Sequence, residues 1–455
     1  MTTFSSRVKE GYVSISARIK EVHINNLSCS PNTSIHDSIP ELLKMLRTTS
    51  FPQLEHCKIE ISEFAARLGR LMGRREQVTL FAGHGAKLTS LYLSAVPFIP
   101  TNHSPSLIRF FVHNTHYFAP GERRHLHSEL LVFLAAHLQL EELSITNAGL
   151  IVFSHPGVEA AQWNPVDLRS LHRFIIGDRC RETVALCKEL LSAIKIPIGC
   201  HLHFLSHGQD PISSIPAQLV SLRPDYAAAT KMRLALSQPA RCIAQLAAPS
   251  SHGSLTLSFD VLVQPYDITI SQHMSMTFPS LRVQELWIRL QERDYRRGNT
   301  QPLPLRAFHN LKRLVIGQPA RICDPRAFER IGVLLDHITG FIGIRPGDSL
   351  TAMACPLLDT LCINLPPYVR SLRPLTTLLA SREQTYPIRR VIVGYDSALE
   401  LNVLAEVYGL EAYVDEFVCV KLDMASYASP TGWLMDIPEA FKGPDALHTH
   451  WPSWP

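Results

Sequence analysis

One phrase recurs along this 455-residue chain and limits what it can fold into: two large apolar residues three apart, then a third two positions on. It reads IKEVHI (19–24), LEHCKI (54–59), LTSLYL (88–93), LIRFFV (107–112), LEELSI (140–145) and LHRFII (171–176) in the first half. The second half supplies VQELWI (283–288), LKRLVI (311–316), LDTLCI (358–363) and IRRVIV (388–393), with weaker relatives at KMRLAL (231–236) and HGSLTL (252–257). The pattern alone is common in an apolar-rich chain; its spacing is what makes it informative. From 19 to 54 is 35 residues, from 54 to 88 is 34, from 107 to 140 is 33, and from 358 to 388 is 30.

Helix-like segments fill the intervals. ELLKMLRTT follows Ser38-Ile-Pro-Glu41, a capping-box spacing with an early proline. ETVALCKELLSAI (182–194), FERIGVLLDHI (328–338) and LRPLTTLLASRE (372–383) carry apolar residues at helical spacing. Strand, turn and helix repeating at this period predict an α/β fold, a leucine-rich-repeat-like solenoid (horseshoe) with parallel inner strands and outer helices. The units are longer than ordinary repeats, and Thr115, Ala148 and Arg179 stand where an Asn or Cys is usual. The expected organisation is a lead-in over 1–18, an irregular solenoid over 19–420, least regular at 200–282, and a capping tail over 421–455. In that tail Trp433 and Leu434 are suited to cover the exposed end of the last unit.

Composition narrows the function classes. A net charge of +4 with 18% charged residues gives no basic stripe of the kind nucleic acid needs. The densest basic run, Arg70 to Arg75, reads as a solvated helix end. No apolar span of about 20 residues points to a membrane, and the N-terminus lacks a secretory signal core. Ten cysteines with no C-x-x-C pair suit a reducing compartment, so a cytoplasmic or nuclear location is expected.

Catalytic signatures are weak. FAGHGAKLTSLYL (81–93) sets Gly83, Gly85 and Lys87 near one another, but a phosphate-binding loop needs G-x-x-x-x-G-K-[ST] opening a helix. Here Leu88 opens a strand phrase, so the glycines read as an inter-repeat turn. The pairs His125/His127, His201/His203 and His448/His450 lack further ligands at metal spacing. GYDSA (394–398) is not a nucleophile elbow. The expectation is a non-enzyme without cofactor or metal; an enzyme whose site is assembled from distant residues is the alternative.

The strand register supplies candidate binding residues. Positions three and five of each phrase face away from the apolar core, onto the concave surface of a horseshoe. Aromatic and arginine side chains carry much of the energy at interfaces. Tyr92, Arg109, Phe111, Glu142 and Arg173 are the candidates of the first half; Glu285, Trp287, Arg313 and Arg390 are those of the second.

FPQLEHCKI, FHNLKRLVI, CPLLDTLCI and LTTLLASREQTYPIRRVIV resemble the repeats of fungal F-box-like proteins with divergent leucine-rich repeats, over roughly 19–420. The resemblance implies a substrate-recognition array of ubiquitin-ligase type, with an unknown protein partner on the concave face. In that family an F-box of about 40–50 residues precedes the array and docks a Skp1-like adaptor. Only 18 residues precede the first phrase here, without a Leu-Pro-x-Glu-Leu opening, so an adaptor is expected only if an F-box lies upstream. A relative without the F-box, or a truncated one, is the variant of this reading.

Overall fold

A computed structural model describes residues 19–24, 44–60 except 45, 78–83, 87–113 except 95 and 97, 129–146, 165–178 and 190–206. It further describes 231–237, 241–247, 254–260, 282–290, 308–317, 355–396 except 366–368, 370, 384 and 385, and 401–422. The lead-in 1–18, Arg70 to Arg75, His125/His127, the helix expected at 328–338, His448/His450 and the tail from 423 lie outside the described residues.

The fold is α/β with parallel sheet, in two compact units, Met1–Gly208 and Gln209–Pro455. All ten strong phrases coincide with strands. In the first unit these are β1 (Glu21–Ile24), β2 (His56–Glu60), β3 (Ser90–Ser94), β4 (Arg109–His113), β5 (Glu142–Thr146) and β7 (Arg173–Asp178). A seventh strand, β9 (His201–Ser206), continues the sheet, and every neighbouring pair is parallel and in chain order. A separate two-stranded parallel pair joins β6 (Val166–Asp167) to β8 (Ile194–Lys195).

In the second unit β13 (Glu285–Leu290), β14 (Arg313–Gly317), β15 (Thr360–Leu365), β16 (Arg390–Asp396) and β17 (Glu416–Leu422) form a parallel run. The region 200–282 departs from the rule. There β10 (Lys231–Ser237), β11 (Arg241–Ala247) and β12 (Ser254–Asp260) pair antiparallel, and β10 then pairs parallel with β13. β10 and β12 fall on the two weak phrases.

The same local geometry recurs before several of the phrase strands. The backbone N–H of the first leucine donates to the carbonyl three residues earlier: Leu54 to Phe51, Leu107 to Ser104, Leu140 to His137, Leu311 to Phe308 and Leu358 to Cys355. Two successive N–H groups at the strand mouth then share one carbonyl of the preceding unit. Glu55 and His56 meet Lys20; Thr89 and Ser90 meet Glu55; Ile108 and Arg109 meet Thr89. In the second unit Arg389 and Arg390 meet Asp359 in the same way. These repeated bonds satisfy the backbone where each strand begins and lock neighbouring phrases in register.

The phrase's apolar positions form the core. Leu54, Cys57 and Ile59, then Leu88, Leu91 and Leu93, are buried in sequence, as are Leu358, Leu361 and Ile363. α1 (Arg373–Arg382) occupies the expected 372–383 segment and buries Leu375, Leu378 and Leu379. α2 (Leu401–Gly409) follows β16, and its Glu406 carboxylate accepts the Ser371 hydroxyl and the Leu372 N–H at the N-terminus of α1, where the helix dipole favours an anion. Described residues 190–193 of the 182–194 segment are helical, as are 129–136.

The opening of the 81–93 stretch is tighter than a glycine turn. Phe81, Ala82 and Gly83 all have positive φ (55°, 51° and 80°), and the Gly83 N–H donates to Leu80 at 3.0 Å. Two non-glycine residues therefore hold a conformation that L side chains rarely adopt, anchored by complete burial of Phe81. Lys87 donates to Gln53 Oε1 across the surface, and Thr89 leads into β3.

Candidate recognition face

Parallel, unslipped pairing brings residues of equal phrase position side by side. In the first unit the position-three row runs Glu21, His56, Ser90, Arg109, Glu142, Arg173 and His201. In the second unit it runs Glu285, Arg313, Thr360, Arg390 and Glu416. The position-five row lies on the same face, two residues along each strand.

In the first unit, five of the candidate residues come together. Arg109 Nε lies 3.5 Å from Glu142 Oε1, and Arg173 Nη1 lies 3.4 Å from Glu142 Oε2. Their side chains are 9%, 3% and 1% exposed, so one carboxylate sits between two guanidiniums away from water. Burial lowers the Arg173 pKa, while Glu142 opposes that shift through charge and hydrogen bonding. Next to this triad, the Tyr92 and Phe111 rings stack with centroids 4.1 Å apart, and the Lys58 ammonium lies 5.0 Å from the Tyr92 centroid. Phe111 is itself buried; Tyr92 is half-buried, and desolvation pushes its phenol up to about 12. Lys58 and Glu60 close the row at the surface with a 3.0 Å ion pair.

The second unit presents the same face differently. Trp287 is buried and donates its Nε1–H to Glu285 Oε1 at 2.6 Å. Glu285 also meets Arg313 Nη1 at 3.5 Å, and Arg390 Nη2 meets Glu416 Oε1 at 3.1 Å. The charged side chains of the row are 13% (Glu285), 35% (Arg313), 40% (Arg390) and 54% (Glu416) exposed, while Thr360 at its centre is buried. Of the nine candidates, Tyr92, Glu285, Arg313 and Arg390 thus retain solvent access, whereas Arg109, Phe111, Glu142, Arg173 and Trp287 are interior. Glu416 completes the row but was hidden in the sequence, because its phrase VDEFVC (414–419) closes on a cysteine where the ten strong phrases close on Ile, Leu or Val.

Two buried polar pins hold the strands from behind. Ser104 donates its N–H to His137 Nε2, and His137 Nδ1 meets Phe133 O at 2.7 Å. A carbonyl only accepts, so Nδ1 carries the proton and the ring is neutral. Burial lowers the His137 pKa, the Phe133 bond opposes it, and His103 adds to it. In the second unit Arg382 donates to Tyr386 O, Cys355 O and Leu358 O, and burial lowers its pKa to about 10.

His201 and His203 share a face of β9, and no group of three His, Cys, Asp or Glu able to hold a metal occurs among the described residues. Cys57, Cys200, Cys355, Cys362 and Cys419 are thiols outside any disulfide among the described residues, and desolvation raises Cys57 and Cys355 to about 12. Such thiols are poor nucleophiles near neutral pH. No described helix is long and apolar enough to cross a membrane. No family model, curated protein or solved structure matches the chain.

Proposed function

We propose that this chain is a non-catalytic protein-recognition array of leucine-rich-repeat type, a horseshoe solenoid whose strand face binds another protein. The observation that carries this reading is the in-register alignment of one phrase across parallel strands, which gathers arginine, glutamate and aromatic side chains into continuous rows. Rows of this kind offer many weak contacts along an extended partner rather than one deep pocket. The likeness to fungal F-box-like proteins favours substrate recognition for a ubiquitin ligase, through a Skp1-like adaptor if an F-box precedes the array.

Proximity labelling in cells, comparing the native chain with Arg313→Glu/Arg390→Glu, tests the reading. A defined set of neighbours should be lost from the variant while its abundance is unchanged. Identical neighbour sets would contradict an array that binds through this face. Recovery of a Skp1-like adaptor with the native chain would support the ligase version, and its absence would remove that version alone.

A further inference from the structure

The position-three row of the second unit has a charge order that specifies more than a generic partner. Across five adjacent parallel strands it reads Glu285, Arg313, Thr360, Arg390, Glu416: negative, positive, neutral, positive, negative. Among the described residues each arginine is drawn outward by one carboxylate, Arg313 by Glu285 and Arg390 by Glu416. A guanidinium has five N–H donors, so both keep capacity on the side facing Thr360. Arg390 Nε is buried with no hydrogen-bond partner among the described residues. The centre of the row is therefore an electropositive seat with a hydroxyl at its base, bounded on both sides by carboxylates.

Spacing fixes the shape of what fits. Neighbouring strands lie roughly 4.8 Å apart, so the centre is about 9.6 Å from each carboxylate and the carboxylates are about 19 Å apart. A polyproline-II helix rises about 3.1 Å per residue with three residues per turn, returning the same face every ~9.3 Å. Over two turns it spans about 18.6 Å, matching the row. A β-strand fails this match, because residues three apart point to opposite sides.

We infer that the row from Glu285 to Glu416 binds a polyproline-II segment carrying an acidic residue flanked three positions away on each side by basic residues. This rests on the protein-recognition reading and names the partner's chemistry. The acidic side chain takes the seat between Arg313 and Arg390 above Thr360, and the basic ones meet Glu285 and Glu416. Glu416 is the more exposed of the two and, among the described residues, pairs with Arg390 alone, whereas Glu285 also accepts from Trp287. The Glu416 end accordingly has the stronger preference for a basic residue.

The test uses the full chain and fluorescent peptides X-Pro-Pro-X-Pro-Pro-X with Arg, Glu or Ser at each X, read by polarisation. Arg-Glu-Arg should bind tightest, and its inverse Glu-Arg-Glu at least about tenfold more weakly. Glu416→Lys, a change at an exposed position, should turn the preference at one end of the peptide from Arg to Glu. Arg313→Glu/Arg390→Glu, with its fold checked by circular dichroism, should move the central preference from Glu to Arg. A ranking that follows total peptide charge, a ranking unmoved by Glu416→Lys, or no binding by any peptide would overturn the inference. If the cellular neighbours still depend on Arg313 and Arg390 while the peptides show no such ranking, the recognition reading stands and this inference alone fails.

Discussion

The two units place the same residue types at the same phrase position and use them in opposite ways. In the first, Arg109, Glu142 and Arg173 stand on adjacent strands and are sealed from solvent. In the second, Arg313 and Arg390 are separated by Thr360, each turned to a carboxylate, and substantially exposed. A charge in the dry interior is retained only with a partner, so its energetic role is to avoid a large penalty. At the surface the same pair contributes little to stability and its donors stay available. The comparison separates a sealed ladder from a solvent-open one without any change in register.

Four substitutions and one titration sharpen this contrast. Trp287→Ala empties the largest buried site beside the exposed row and should cost about 3–5 kcal/mol in urea denaturation of the full chain. Arg382→Met should cost about 3 kcal/mol, because the Cys355, Leu358 and Tyr386 carbonyls lose a charged donor inside the fold. His137 gives a pH effect of known sign. Its folded pKa lies below the ordinary 6.5, so between the two values the unfolded chain binds more protons. Its contribution is complete above the unfolded value and declines as pH falls through about 6.5 toward the folded pKa, and His137→Phe should flatten that slope in thermal melts. At the small end, raising salt should change stability no more in the native chain than in Arg390→Gln, within about 0.5 kcal/mol, since the Arg390–Glu416 pair is exposed.

Much of this architecture was legible in the chain because its cause is local. A leucine at phrase position one marks a turn that bonds back three residues, and alternating apolar residues then mark a strand; all ten strong phrases became strands. β17 escaped notice because its phrase closes on Cys419 rather than on Ile, Leu or Val, and β9 because HLHFLS alternates histidine with apolar residues after a glycine rather than a leucine. β11 lies in the antiparallel insertion, where no phrase spacing applies. The registers of Tyr92, Arg109 and Glu285 followed from the period of two, but their burial did not. Exposure depends on what else covers a strand face, a long-range property that periodicity does not encode. The positive φ values at Phe81 and Ala82 were equally unreadable, since neither residue type signals a left-handed turn.

The central contrast is most directly measured by comparing Glu142→Gln with Glu416→Gln, each an isosteric loss of one carboxylate charge from a position-three row. Urea denaturation should show Glu142→Gln destabilised by about 3–5 kcal/mol, because two buried guanidiniums lose their counter-charge, and Glu416→Gln changed by less than about 0.5 kcal/mol. Equal effects of the two substitutions would contradict the contrast between a sealed ladder in the first unit and a solvent-open ladder in the second.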